Sequence, residues 1–185
     1  MNGTEPLSRP TLLAAIAAGR QFDYLPFWGH SGTALRASLS QWYRRPFTVD
    51  GVDYASAEHY MMAGKARLFG DGATLERILA TDDPSAAKRL GREVQHYDEQ
   101  SWRQHRFEIV LAGNLAKFGQ HRDLHDFLLG TGHQILVEAS PVDRIWGIGL
   151  AADHPDAANP ARWQGDNLLG FALMQVRQQL REQGK

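Results

Sequence analysis

The chain contains no cysteine, which removes disulfides, thiolate nucleophiles and cysteine-rich zinc sites from consideration. It also lacks any run approaching the ~20 apolar residues needed to cross a bilayer. Its nearest approach to a targeting signal, Leu12 to Ala18 after Arg9, is at the bottom of the length of a signal-peptide core and stops at Gly19-Arg20. That run reads as a short helix capped by Thr11 and ended by Gly19. An excess of charge is missing too: 20 Lys+Arg against 21 Asp+Glu leave a formal net charge of -1. Nothing global therefore draws the protein to nucleic acid or to an anionic membrane, although a local basic groove stays open. No GxGxxG turn, P-loop or Gly-x-Ser-x-Gly elbow is present, which argues against a dinucleotide-binding Rossmann fold, a P-loop nucleotide hydrolase and a serine hydrolase. His121 and His125 have ligand spacing but lack the Glu of a zincin helix, so no metal is expected. Neither internal repeats nor low-complexity tracts occur.

What remains is the composition of an ordinary globular chain, 185 residues with 43% hydrophobic and 22% charged. That is enough to bury a core in one domain, and a cytoplasmic location is expected. Phe22–Trp28 is aromatic-rich and extended in character. Pro46-Phe47-Thr48-Val49-Asp50-Gly51-Val52-Asp53-Tyr54 reads as two short strands around an Asp-Gly turn. Ser56 then caps a helix. Further helices are expected over Asp71–Ala80, from Asp83-Pro84 to Gly91, over Asp98–Phe118 and over His121–Leu129. The apolar stripe of the longest would be Trp102, His105, Ile109, Ala112 and Ala116. Gln134–Glu138 suits a strand, 151–163 a loop, and Asn167 caps a last amphipathic helix. The expected fold class is a helix-rich α+β domain with a β-hairpin and a few short strands.

One stretch carries chemistry on an apolar helix face. In Ser56-Ala57-Glu58-His59-Tyr60-Met61-Met62-Ala63-Gly64-Lys65, Glu58 and Lys65 lie seven apart and so about 20° from alignment, beside Met61, Met62 and Phe69. A carboxylate and an amine there are costly to bury without a partner or a task. Equally, Glu58 can serve the positive helix start and Lys65 can snorkel its amine to water. A second group is Asp143-Arg144-Ile145-Trp146-Gly147-Ile148-Gly149, where glycines let the backbone approach a ligand and Trp146 could stack on a base. The plain alternative puts Trp146 in the core and Asp143 on a turn. Trp28-Gly29-His30 and Gln41-Trp42-Tyr43 suit a cleft wall or aromatic packing. Lys88, Arg89 and Arg92 suit a helix C-terminus or a phosphate.

Taken in order, several segments resemble the NADAR, or YbiA-like, family of N-glycosidases. They are Leu39-Ser40-Gln41-Trp42-Tyr43, Pro46–Gly51, Ser56–Met61 with Lys65, Ala87-Lys88-Arg89-Leu90-Gly91-Arg92, Trp102, Lys117-Phe118, Leu136-Val137-Glu138, Asp143–Gly147 and Asn167-Leu168-Leu169-Gly170. The likeness runs from about Phe22 to Leu180, with residues 1–21 as an N-terminal helix and extension and 22–185 as the catalytic domain. It departs at Gln41-Trp42, where many members have Asn-Phe, and at Ile148, where some have Asp. The resemblance implies a helix-rich α+β fold and cleavage between ribose C1 and an exocyclic amine. Substrates of this class are phosphoribosylamino-pyrimidines of riboflavin synthesis and ADP-ribosylated guanine, in DNA or free. It places catalysis on Glu58, Lys65 and Asp143 and substrate binding on Trp102 and Trp146, with Trp42, Lys88, Arg92 and Asn167 as further substrate-binding candidates. No cofactor, membrane or obligate protein partner is implied.

Two routes suit a ribosylamine. Lys65 could attack a ring-opened sugar as a neutral amine and form a Schiff base, or Glu58 and Asp143 could act as a glycosidase pair on a closed ring. A non-catalytic reader of ADP-ribose or nucleotides is the alternative function.

Overall fold

The computed structural model describes residues 5–29 and 34–184; His30, singled out above beside Trp28, lies outside them. In chain order the elements are α1 (Arg9–Ala17), β1 (Tyr24–Phe27), α2 (Ala34–Ala37), β2 (Phe47–Val49), β3 (Val52–Tyr54), α3 (Ala57–Leu68), α4 (Gly72–Leu79), α5 (Pro84–Glu93), α6 (Glu99–Gln120), α7 (Arg122–Gly130), β4 (Ile135–Glu138), a 3-10 turn (Pro160–Arg162) and α8 (Leu168–Gln183). They gather into two compact units. One holds the residues up to Ala37 together with Asp126 onward, and the other holds Ser38–His125.

In the first unit β1 and β4 pair in parallel, Tyr24 opposite Ile135 and Phe27 opposite Glu138. All four residues of β4 are buried, as a strand covered on both faces must be. Helix α8 packs along it through Leu169, Ala172, Leu173 and Val176. Arg177 on α8 is fully buried. It donates to Thr131 Oγ1 at 2.7 Å and Gln134 O at 3.0 Å, and it pairs with Glu5. Residues 5–21 are tied into this unit as well, because Arg9 donates to the carbonyls of Pro160 and Gly165. Helix α1 starts earlier than expected. Ser8, not Thr11, is its cap, and the Ser8 and Thr11 hydroxyls each take the other's backbone N–H. This reciprocal box satisfies two orphan donors where a lone cap satisfies one.

The second unit is built around α3, against which α4, α5 and α6 all pack. The hairpin forms in the expected register, Phe47 opposite Tyr54 and Val49 opposite Val52. Both turn residues have positive φ, 50° at Asp50 and 77° at Gly51, the type I′ geometry that matches strand twist. Asp71, Asp83 and Asp98 cap α4, α5 and α6 through their carboxylates.

Two expectations fail here. Helix α5 does not end at Gly91 but runs on to Glu93, because that glycine serves a close helix contact rather than a stop. The buried face of α6 is Trp102, Arg106, Val110, Gly113, Asn114 and Lys117, while His105 and Ala112 are exposed. Two cations lie on the inner face, so an apolar stripe alone could not find it.

Candidate active site

Helix α3 sets the first pair. The Ser56 hydroxyl accepts the His59 N–H and bonds His59 Nδ1 at 2.8 Å, which fixes the helix start and places Glu58 in its positive first turn. Glu58 is only 2% exposed, and its backbone N–H donates to Gln41 O at 2.9 Å. Two turns on, the Lys65 amine donates to the carbonyl of Gly91 at 2.7 Å. The amine also lies 4.2 Å from the Tyr97 ring centre and 5.7 Å from that of Trp102.

Gly91 permits this geometry. A Cβ there would fall 1.9 Å from Met62 Sδ, closer than any atoms can pack, so only glycine lets the last turn of α5 settle onto α3 and bring its carbonyl to the amine. Met61, Met62 and Phe69 were expected to surround Lys65. Instead Met62 sits beneath Gly91 and Phe69 packs edge-on to Tyr97 at 5.4 Å, while the rings at the amine come from Tyr97 and Trp102. Burial pushes the Lys65 amine below its ordinary value, and the charge of Glu99 opposes that. The rings also favour the ammonium form, by about 0.5–2 kcal/mol each in general, yet desolvation prevails. Among the described residues no carboxylate lies within ion-pair distance of Lys65.

The other candidates of this unit are Trp102, Trp42, Lys88 and Arg92. Trp102 is 8% exposed, so it walls the amine rather than offering a free face. Trp42 is half-buried, with the Lys88 amine 5.6 Å from its ring centre. Arg92 is exposed in the last turn of α5. Gln41, which departs from the common family residue, accepts from Asn114 Nδ2 at 2.8 Å through its side chain.

Asp143, Trp146 and Asn167 belong to the other unit. Asp143 Oδ1 accepts the backbone N–H groups of Ile145 at 2.9 Å and Trp146 at 2.8 Å, so the carboxylate does organise a turn. Trp146 is half-buried and Ile148 fully buried. The close approach made by the flanking glycines is to the chain itself: a Cβ on Gly147 would lie 2.8 Å from Glu138 O and 2.9 Å from Asp143 O.

Asn167 does not cap α8 with its side chain, contrary to expectation. It is fully buried in the left-handed region, φ 56°. Its amide accepts from Glu138 N and donates to Leu136 O, both at 2.9 Å. It acts as a one-residue strand along β4, with its polar groups spent on the backbone.

One residue was quoted above without a role. Lys117 on α6 is fully buried and donates to Ser38 O at 2.6 Å and Ser40 O at 3.1 Å. Burial pushes it down to about 7, against two nearby rings, Tyr43 at 5.7 Å and Phe118 at 5.1 Å. By holding Ser38 and Ser40 it anchors the segment that delivers Gln41 to Glu58 and Trp42 to Lys88. The signal was available in its spacing: 102, 106, 110, 113 and 117 trace one face of a 3.6-residue helix.

A cavity of about 660 Å³ lies in the first unit, lined by Glu5, Arg20, Asp23 and His133 among others. It contains none of the candidates. No group of His, Asp and Glu among the described residues is arranged to hold a metal. No helix among them is long and apolar enough to cross a membrane.

Residues 26–181 match the family described as the NADAR domain. The chain is 43% identical over 146 residues to N-glycosidase R617 of Acanthamoeba polyphaga mimivirus, covering 76% of this chain and 86% of that one. It is 33% identical over 135 residues to N-glycosidase YbiA of Escherichia coli, covering 73% and 76%. The NMR structure of E. coli YbiA superposes with a TM-score of 0.73 over 89% of each chain, at 28% identity, so the helix-rich α+β single-domain fold is shared. A further relative, Riboflavin biosynthesis protein VVA0006 of Vibrio vulnificus, is 35% identical over 144 residues, and the match covers 78% of this chain but 35% of that protein. With a family match spanning most of its length and a named N-glycosidase at 43% identity, the chain belongs to the NADAR family and is an N-glycosidase.

Proposed function

We propose that the chain hydrolyses the bond between ribose C1 and the exocyclic amine of a base, with Lys65 as nucleophile. The observation that carries this is the setting of the Lys65 amine. It is desolvated, lacks an ion-pair partner among the described residues, and has a single carbonyl acceptor in Gly91. A neutral amine can donate one N–H to that carbonyl and keep its lone pair for attack, whereas an ammonium has no lone pair to give.

A ribosylamine opens its ring to an imine at C1. Lys65 adds to C1, the C1–N bond to the base breaks with a proton passed to the departing amine, and a Lys65 Schiff base remains. Water adds to that imine and frees the sugar as its aldehyde, restoring the amine. Glu58 exchanges the proton during ring opening; the carboxylate whose charge bears on Lys65 is Glu99. On the strength of the family resemblance, Asp143 serves as the second carboxyl and Trp146 holds the base. Trp42, Lys88 and Arg92 receive the phosphate end, with Arg92 already exposed. Asn167 contributes through the turn and strand it holds rather than by touching substrate.

The substrate class favoured is a phosphoribosylamino-pyrimidine, since a relative carries a riboflavin-biosynthesis name. ADP-ribosylated guanine, free or in DNA, is the second member of the same chemical class. Borohydride added during turnover, followed by mass spectrometry, tests the route. A ribosyl adduct reduced onto Lys65 is expected. Turnover without any adduct there would overturn the Schiff base in favour of Glu58 and Asp143 acting on a closed ring. Parallel assays on the two substrates decide which is cleaved.

A further inference from the structure

Tyr97 was assigned no role by its sequence, yet its ring centre lies 4.2 Å from the Lys65 amine, nearer than that of Trp102 at 5.7 Å. The two aromatic walls at that amine differ. Trp102 is 8% exposed, whereas Tyr97 keeps 43% of its surface open. An exposed aromatic face beside an amine offers a bound molecule a surface to pack on. The Tyr97 ring is also held in place on two sides: Phe69 packs edge-on to it, and its hydroxyl donates to Glu99 in the first turn of α6. Burial and the Glu99 carboxylate push the phenol up to about 12, so it remains a protonated donor throughout the neutral range.

The covalent geometry adds a constraint. In a carbinolamine or reduced adduct the sugar C1 lies about 1.45 Å from the lysine nitrogen, and closer still in the imine. That nitrogen is 4.2 Å from the Tyr97 ring centre. The Gly91 carbonyl and buried Trp102 are also at the amine, and a sugar carbon bonded to Lys65 lies within reach of the open ring.

We infer that Tyr97 is a substrate-binding residue of this reaction, the open wall against which the ribose bound at Lys65 packs, and that Glu99 is the positioning residue that holds the ring there. The inference rests on Lys65 being the nucleophile. It names a contact to the sugar, shared by every ribosylamine, and not to the base.

The test uses the full chain with two readouts. One is steady-state hydrolysis of a ribosylamine. The other is borohydride trapping of ribose 5-phosphate on Lys65, which needs no base and no turnover. Tyr97→Ala is expected to raise both KM and the half-saturating ribose 5-phosphate concentration about tenfold, the size of one lost aromatic contact. Tyr97→Leu, which keeps apolar bulk but no ring, should do nearly the same, while Tyr97→Phe, which keeps the ring but loses the Glu99 hydrogen bond, should match the smaller effect of Glu99→Ala. Glu99→Ala should raise KM with less effect on kcat, and Glu99→Gln, which still accepts the phenol, should recover it. Unchanged KM and unchanged trapping in both Tyr97→Ala and Tyr97→Leu would overturn the inference while leaving the nucleophile intact. Absence of trapping in the wild-type protein would instead remove Lys65 as nucleophile, and the Tyr97 inference with it.

Discussion

Lys65 and Lys117 are the same residue in two environments of one unit. Both amines are pushed down by burial, and both face carbonyls and aromatic rings. Lys117 is fully enclosed and gives two of its three hydrogens to Ser38 and Ser40. Lys65 is half-buried, has one carbonyl, and meets an open ring. Desolvation alone therefore does not mark a nucleophile. The sealed amine organises backbone; the one with an open side has room for a substrate.

The sharpest way to break this contrast is to exchange the consequences. Lys65→Ala and Lys65→Arg are both expected to abolish turnover with little change in melting temperature, since guanidinium stays protonated and cannot form an imine. An active Lys65→Arg enzyme would end the assignment. Glu58→Gln keeps shape and should also fold normally while losing most turnover.

Lys117→Met is expected to reverse the pattern. It removes the amine's hydrogen bonds to the Ser38 and Ser40 carbonyls, at a cost of about 1–3 kcal/mol in urea unfolding. Activity per folded molecule should fall far less than in Lys65→Ala. A Lys117→Met protein that unfolds like wild type but does not turn over would place Lys117 in the chemistry instead.

A further effect is one of pH. The unfolded lysine has its ordinary value of 10.5, and the folded Lys117 lies at about 7. Between those values the unfolded chain binds a proton that the folded one does not, so stability rises with pH from 7 toward 10.5 and this contribution is flat below 7. Lys65 adds a slope of the same sign, since its value is also lowered. Unfolding curves of wild type and Lys117→Met between pH 7 and 10 should therefore diverge in slope, the variant being flatter. Parallel slopes would mean that Lys117 stays charged in the folded state. For catalysis the sign is the same, with kcat/KM rising toward the neutral form of Lys65.

Much of this was legible locally. Ser56, Asp71, Asp83 and Asp98 announce helix starts because a cap is satisfied within three residues, and Asp50-Gly51 announces its turn because only certain residues accept positive φ. Gly91 misled because glycine has two uses, ending a helix and allowing another helix to come close, and the second depends on Met62, far away in sequence. Asn167 misled likewise. Its side chain could have capped α8, but the open edge of β4 offered two better partners.

The order of elements, the hairpin and the shared face of Glu58 and Lys65 on α3 were determined by the sequence itself, through periodicities of a few residues. What each amine meets was decided only in three dimensions. The carbonyl at Lys65 comes from a residue 26 positions away and those at Lys117 from 77 and 79 positions away. Desolvation is the sum of such distant neighbours, so no local pattern can say which of two lysines is sealed and which is open.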